Sequence, residues 1–201
     1  MHTNSRLLFQ KYAKQYFLPG MKVLEIGPDA VPSTYQKTVS DSSILWHTLD
    51  LRVDPSLTYR ALSEYEFPVE SGSYDVVLSG QVIEHVRQIW VWIQELARVC
   101  KPGGLVVTIN PVSWPYHEAP IDCWRAFPEG MRALYEHARL DVIFSHWESL
   151  EGSAHQRHIP GRSAEWQTPK MRFAYSVLGL FGFPIERAYD TITVGKKIYN
   201  L

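Results

Sequence analysis

Short apolar runs that end in a polar residue or a turn recur along the chain, and helical or irregular segments separate most of them. This alternation predicts strands near residues 22–26, 44–49, 58–61, 74–79, 104–110, 141–147 and 190–195. Strands that alternate with helices pair mainly in parallel, and the helices then cover both faces of the sheet. The pattern therefore predicts an α/β fold with a mostly parallel, seven-stranded sheet between two helical layers.

Helical spacing of apolar residues predicts a helix over about residues 4–18, before the first strand, and another over about residues 87–100. Thr168-Pro169 is typical of a helix start, and the apolar residues that follow predict a helix to about Phe181. This last helix lies in the segment 151–187, which is longer than a connection between two strands requires. We therefore expect an insertion before the last strand that forms a substrate-side element or lid.

An acidic residue lies at the end of each of the first two predicted strands. Glu25 precedes Gly27 at the end of the first strand, and Asp50 ends the second. A carboxylate at the second strand end of a βαβ unit can accept hydrogen bonds from both hydroxyls of a ribose. Gly27 is followed by Pro28 and Asp29, so the turn lacks the glycines that a dinucleotide pyrophosphate needs. S-adenosylmethionine (SAM) has no phosphate and carries a positive sulfonium, which favours it over a nicotinamide dinucleotide.

Four segments, in chain order, resemble motifs of the class I SAM-dependent methyltransferases. They are Glu25-Ile-Gly27, the strand Asp75-Val-Val-Leu-Ser79, Gln81-Val-Ile-Glu-His85, and the turn Lys101-Pro-Gly-Gly104. The resemblance covers roughly residues 20–112 and implies a Rossmann-like fold, SAM as cofactor and methyl transfer. The chain departs from the family's first motif, because Asp29 and Val31 replace its later glycines. A narrower segment, Pro115–Leu134, is similar to bacterial methyltransferases of surface-glycan and secondary-metabolite biosynthesis.

The resemblance implies a set of cofactor-binding residues at the strand ends. Asp50 is expected to bind the ribose, Leu51 to pack on the adenine, and Gln81 to contact the methionine end. The alternative for Asp50 is a structural role, since acidic residues also end strands as turn formers or helix caps. The complete predicted set is Glu25, Gly27, Asp29, Asp50, Leu51, Ala61, Leu62, Ser79 and Gln81.

Candidate acceptor-side residues follow the fourth and fifth strands. SAM already activates its methyl group, so the protein mainly aligns a nucleophile, and a hydroxyl acceptor must also lose its proton. We predict His85, His117 and Asp122 as catalytic residues, either histidine acting as the base. The predicted substrate-binding residues are Tyr116, Glu118, Trp124 and Arg125. The alternatives are a structural, buried His85 and an ordered loop in which Asp122 merely pairs with Arg125.

Composition narrows the class of protein. With 201 residues, 45% of them hydrophobic, the chain is expected to form a single domain over residues 1–201. A formal charge of −1 gives no general attraction to nucleic acid, and no apolar run reaches the roughly 20 residues of a membrane span. Two cysteines without metal-ligand spacing fit a reducing compartment, so we expect a cytoplasmic protein. We expect no metal site, because His155 and His158, with His146 and Glu151 nearby, have no fourth ligand at convincing spacing.

The sequence therefore predicts a SAM-dependent methyltransferase that methylates a hydroxyl of a small molecule or glycan by direct in-line transfer. Two alternatives stay open. One is a catalytically silent protein with a SAM-binding fold that serves in binding or assembly, and the other is a nicotinamide-dependent oxidoreductase. The apolar helix that begins near Pro169 is a candidate contact between the two subunits of a homodimer.

Overall fold

The computed structural model of the chain describes residues 3–114, 116–118, 120–151, 156–157, 165–166, 169–182 and 188–199. Its strands are Lys22–Ile26 (β1), Leu45–Asp50 (β2), Tyr59–Arg60 (β3), Tyr74–Gly80 (β4), Cys100–Pro111 (β5), Leu140–Glu148 (β6), Gln156–Arg157 (β7), Glu165–Trp166 (β8) and Asp190–Lys197 (β9). Its α-helices are Thr3–Leu8 (α1), Thr34–Val39 (α2), Ile89–Val99 (α3), Pro128–His137 (α4) and Pro169–Leu180 (α5).

Seven strands form one sheet in the order β3-β2-β1-β4-β5-β9-β6. The strands from β3 to β5 pair in parallel, whereas β9 lies antiparallel between β5 and β6. The predicted Rossmann-like, mostly parallel sheet of seven strands is therefore confirmed. The strands β7 and β8 pair with each other in a separate two-stranded ladder, before the last strand of the main sheet.

Buried side chains form two apolar clusters, and the strands supply alternate residues to them. Leu24 and Val77 belong to the cluster that includes residues of α3 and α4, whereas Val23 and Val76 belong to the cluster that includes residues of α1. This follows from strand geometry, since successive side chains point to opposite faces of a sheet. The two clusters explain why the central strands are apolar at consecutive positions and why helices cover both faces.

The amino-terminal segment is helical but not uniform. The predicted helix over residues 4–18 consists of α1, a π-helical turn over Phe9–Ala13 and a 3₁₀ turn over Lys14–Tyr16. Two kinds of contact hold it to the sheet. The buried side chain of Asn4 donates to Asp190 Oδ2 at 2.7 Å, and Phe9 packs in the apolar cluster around β1. The segment therefore anchors the start of β9 beside the carboxyl edge of the parallel strands.

The helix α5 lies where the sequence predicts it, at Pro169–Leu180. Most of the predicted loop from Gly152 to Gln167, including His155 and His158, lies outside the described residues. In the described part of the chain, no helix is long and apolar enough to cross a membrane.

Candidate active site

A cleft of about 410 Å³ opens at the carboxyl edge of the parallel strands. From β1 the chain proceeds outward to β2 and β3, and then returns to β4 on the other side of β1. Ligands of open α/β sheets bind at such a reversal of strand order, because the loops there separate and leave a crevice. The predicted residues that line the cleft are Gly27, Asp50, Leu51, Ala61, Gln81 and His85.

Gly27 allows the chain to turn sharply at the end of β1. Its φ of +67° lies in the left-handed region, which residues with a side chain rarely adopt. A Cβ at this position would lie 2.4 Å from Val82 Cγ2, in the segment that follows β4. The glycine therefore lets the two strand-end loops approach each other closely at the base of the cleft.

Glu25 is buried beneath that turn and holds the loop that follows it. One carboxylate oxygen, Oε2, accepts hydrogen bonds from Ser33 Oγ at 2.5 Å and from Trp46 Nε1 at 2.8 Å. Ser33 in turn caps the amino terminus of α2 by accepting from the Gln36 N–H. Burial raises the pKa of Glu25 to about 7, although both hydrogen bonds act in the opposite direction. In this structure Glu25 positions the β1–α2 loop.

We expect Glu25 to make the stability of the protein depend on pH. Its raised pKa means that between about pH 4.5 and pH 7 the folded protein binds more protons than the unfolded chain. This contribution is complete below the pKa of the unfolded chain and is lost as the pH rises through about 7. The stability of Glu25→Gln relative to the parent should therefore increase by about 2–3 kcal/mol from pH 5 to pH 8.

Denaturant unfolding of both proteins at the two pH values measures this difference. Glu129→Gln is the matched control, because the Glu129 side chain is 89% exposed. A Glu25→Gln variant whose stability relative to the parent is the same at pH 5 and pH 8 would contradict the prediction.

Asp50 lies at the end of β2 and faces the cleft. Its Oδ2 accepts a hydrogen bond from Arg52 Nη1 at 2.7 Å, and the same nitrogen donates to the Pro28 carbonyl oxygen at 2.8 Å. Arg52 thus links the loop after β2 to the loop after β1. A carboxylate offers about four lone-pair sites, so Asp50 can accept ribose hydroxyls in addition to the bond from Arg52.

The predicted adenine-side residues differ in where the structure places them. Leu51 and Ala61 line the cleft together with Phe67 and Glu64, which gives an apolar wall with one carboxylate. Leu62 lies outside this lining, and its side chain is 70% exposed. The reason is that the chain turns after Ala61, where the Leu62 N–H donates to the Glu66 carbonyl oxygen.

A second cavity of about 190 Å³ adjoins the cleft and shares Gly27 and Gln81 with it. Glu25 and Asp29 also line this cavity, so it is acidic. The Gln81 side chain donates to Asp190 Oδ1 at 2.9 Å, while its buried Oε1 has no hydrogen-bond partner among the described residues. Ser79 lines neither cavity, because its buried side chain points toward the Ile26 carbonyl oxygen, 3.5 Å away.

His85 and His117 lie together on the side of the cleft next to β4, away from Asp50 at the end of β2, and His85 forms part of the cleft wall. Their rings contact edge to face, with 5.2 Å between centroids. The Nδ1–H of His85 donates to the Ile121 carbonyl oxygen at 2.5 Å, since a carbonyl can only accept. The structure therefore brings together two histidines from the segments that follow β4 and β5.

Asp122 holds the loop after β5 together through hydrogen bonds to other residues of the same loop. Its carboxylate accepts two hydrogen bonds from the Arg125 guanidinium and one from the His117 backbone N–H, and its Oδ2 lies 3.4 Å from His117 Nδ1. Burial alone would raise the pKa of Asp122, but these hydrogen bonds and the charge of Arg125 lower it below the ordinary value. Asp122 is therefore an ionised group beside His117. The pair with Arg125 that the structural alternative for this loop requires is present.

Of the four predicted substrate-binding residues, two have side chains that hold the loop in place and two have side chains at the surface. Arg125 also donates to the Trp114 carbonyl oxygen, and Trp124 Nε1 donates to the Val86 carbonyl oxygen at 2.8 Å, so both side chains hold the loop in place. Tyr116 is 66% exposed and donates to Glu118 Oε1 at 2.6 Å. Tyr116 and Glu118 are thus the two of this set with side chains at the surface.

Glu84 was not among the predicted site residues, although it lies beside His85 in the 3₁₀ turn Ile83–His85. Its side chain is buried, and burial raises its pKa to about 8. One ligand atom from each of Glu84, His85 and His117 lies within 4.8 Å of the others. The sequence places Glu84 next to His85. It does not show that His117 lies close to both, because that depends on how the loop after β5 folds.

Comparison with known proteins agrees with the fold. Residues 27–108 match the family model described as a methyltransferase domain. An uncharacterized methyltransferase of Mycobacteroides abscessus is 43% identical over 54 residues, which are 27% of this chain and 21% of the relative. A ubiquinone biosynthesis O-methyltransferase of a Chelativorans strain is 38% identical over 66 residues, 32% of this chain and 25% of the relative. The matches thus span about a quarter or less of these curated relatives.

A solved structure of phosphoethanolamine N-methyltransferase 2 from Haemonchus contortus, in complex with SAM, superposes with a TM-score of 0.59. It is 14% identical, and the superposition covers 98% of this chain and 53% of that one. The chain therefore has the fold of the class I SAM-dependent methyltransferases. Residues 27–108, from the turn after β1 into β5, are the part that carries the match to the methyltransferase domain.

Proposed function

We propose that this protein transfers the methyl group of SAM to a hydroxyl oxygen of a small molecule or glycan, by direct in-line displacement. The observation that carries the proposal is the cleft itself, because a ribose-type carboxylate, Asp50, and an imidazole, His85, line the same cavity. The first group suits the nucleoside of SAM, and the second suits an acceptor that must lose a proton.

The acidic second cavity is the proposed site of the methionine end of SAM. The amino group and the sulfonium of SAM are positive, and the carboxyl groups of Glu25 and Asp29 line this cavity. Gln81 Oε1 can accept a hydrogen bond from the amino group, because it lacks a partner in the described part of the chain. With the methionine at Gln81 and the ribose at Asp50, the methyl group would be directed toward His85.

An oxygen acceptor is supported by the pair of imidazoles and by the relatives named as ubiquinone biosynthesis O-methyltransferases. In this proposal His117 or His85 takes the proton of the acceptor hydroxyl while the oxygen attacks the methyl carbon, and S-adenosylhomocysteine leaves. Asp122 stabilises the positive charge that His117 gains. Exposed Tyr116 provides a surface on which a sugar or aromatic ring of the acceptor can stack.

The proposal is tested by incubating the purified protein with radiolabelled SAM and a panel of hydroxylated small molecules and oligosaccharides. Label in at least one acceptor, at a rate that depends on enzyme concentration, supports it. A protein that binds SAM tightly and labels no member of the panel would instead favour a catalytically silent binding or assembly role.

We also propose a cytoplasmic location, because Cys100 and Cys123 are both free thiols. Free thiols persist in a reducing compartment, whereas oxidising compartments favour disulfides.

We expect the protein to self-associate through α5. Phe173 and Leu180 of this helix are 73% and 86% exposed, and neighbouring Phe181 is 76% exposed. Phe173 and Leu180 are seven residues apart and therefore lie on the same face of the helix, and an exposed apolar face is usually covered in solution. Light scattering should give the mass of a dimer for the parent and of a monomer for the double variant Phe173→Glu/Leu180→Glu. A monomeric parent at all concentrations would contradict this expectation.

A further inference from the structure

One cluster contains three potential metal ligands, whereas proton transfer requires only one histidine. Its members are Glu84, His85 and His117. We propose that these three residues bind one divalent transition-metal ion at the acceptor end of the cleft. Their ligand atoms already lie within 4.8 Å of one another, so a modest contraction would bring all three around one ion. The ion would lie beside the cleft, because His85 is part of its wall.

The buried carboxylate of Glu84 points to a ligand. Glu84 is 1% exposed, and its Oε2 has no hydrogen-bond partner among the residues that the structure describes. The other oxygen, Oε1, lies 3.8 Å from His85 Nε2, which is too long for a hydrogen bond. A buried polar oxygen without a partner costs free energy, and a cation between the carboxylate and the imidazoles would remove that cost.

The surroundings orient both imidazoles as metal ligands require. His85 donates its Nδ1–H to the Ile121 carbonyl oxygen, so the lone pair of the neutral ring is on Nε2, the nitrogen near Glu84. The ionised carboxylate of Asp122 faces His117 Nδ1 at 3.4 Å. Histidines that bind metals typically direct the second ring nitrogen at a carbonyl or a carboxylate in this way.

The donor set indicates the class of ion. Two imidazoles and one carboxylate suit Zn²⁺, Co²⁺, Fe²⁺ or Mn²⁺, whereas Ca²⁺ and Mg²⁺ prefer oxygen ligands alone. Three protein ligands leave at least one position open, as in sites where the ion also holds a water or a substrate oxygen.

Metal binding would change how the acceptor loses its proton. With an ion bound, the lone pairs of the two imidazoles are on the metal, so neither ring can act as the base. The ion would instead acidify a hydroxyl bound to it, and solvent would take the proton. This consequence rests on the proposed methyl transfer, whereas metal binding itself does not.

The test is a titration of the chelator-treated, intact protein with Co²⁺. Calorimetry measures the stoichiometry and affinity, and visible absorption reports the ligands of the bound cobalt. We expect one Co²⁺ per chain, with the absorption bands of cobalt bound to nitrogen ligands. Glu84→Gln and His117→Gln should each weaken binding by at least about 100-fold, and Asp122→Asn by roughly 10- to 100-fold. His137→Gln, which alters an exposed histidine on α4, should bind as the parent does.

The variants keep the result interpretable. His117 is partly exposed, so His117→Gln should fold even if the buried Glu84→Gln does not, and circular dichroism checks both. No cobalt binding by the parent, or equal binding by the parent and folded His117→Gln, would overturn the proposal. SAM affinity, measured separately on the same chelator-treated protein, tests the proposed function independently, because none of the predicted SAM contacts is a metal ligand.

Discussion

Replacing Asp50 with alanine is expected to weaken SAM binding roughly 10- to 100-fold, which corresponds to about 1.5–3 kcal/mol for hydrogen bonds to a charged group. Asp50 ends β2 at the edge of the cleft, where its carboxylate can accept both ribose hydroxyls while it stays paired with Arg52. Calorimetric titration of each protein with SAM or S-adenosylhomocysteine measures the affinity.

Asp41→Asn is the matched control for Asp50→Ala. Asp41 lies just before β2 and pairs with Ser43, away from the cleft lining, so its substitution should leave SAM affinity unchanged. An Asp50→Ala protein that is folded and binds SAM as tightly as the parent would show that Asp50 has only a structural role at the end of β2.

The second prediction concerns turnover. His117→Ala is expected to lower the rate of methyl transfer about 10²- to 10⁴-fold, the usual contribution of a general base, without changing SAM affinity. The reason is that His117 lies beside His85 at the end of the cleft and is oriented by Asp122. The measurement is the single-turnover rate with an acceptor found in the labelling screen, together with a SAM titration of the same variant.

His137→Gln again serves as the control, since His137 lies on α4 and contacts Gln94. A chelator separates the two mechanisms in the parent. Loss of turnover on chelation, restored by added metal, assigns proton loss to the ion, whereas unchanged turnover assigns it to an imidazole that binds no metal. If His117→Ala and Asp122→Asn both react at the parental rate, the loop after β5 takes no part in the chemistry.

Most of the fold could be predicted from the sequence, because the strands are marked by apolar runs that end in turns. The number of strands and their mostly parallel pairing could be predicted, but the order of the strands and the antiparallel position of β9 between β5 and β6 depend on contacts distant in sequence. The amino-terminal segment shows the limit of periodicity. Apolar residues over 4–18 have helical spacing, but the segment contains a π-helical turn over Phe9–Ala13. In the same segment Asn4 forms a buried hydrogen bond to Asp190, and Phe9 packs in the apolar core.

Site residues that lie at the ends of strands could be predicted from the sequence. Site residues that come together only through the folding of separate loops could not. Gly27 and Asp50 follow strand ends, so their places in the cleft follow from topology alone. Arg52, Phe67 and Glu84 were not predicted to have these positions, since no local pattern distinguishes them from surface or core residues. Leu62 lies outside the cleft because the chain turns after Ala61, and Ser79 lies outside it because its side chain points toward the Ile26 carbonyl oxygen.

The central claim is that SAM lies in the 410 Å³ cleft with its ribose on Asp50 and its methyl group toward His85. A crystal structure of the protein with S-adenosylhomocysteine tests this most directly. We predict ribose hydroxyls within hydrogen-bond distance of the Asp50 carboxylate, the amino group at Gln81 Oε1 and the sulfur facing the histidine end of the cleft. S-adenosylhomocysteine bound elsewhere, or in the cleft with its ribose away from Asp50, would contradict the claim.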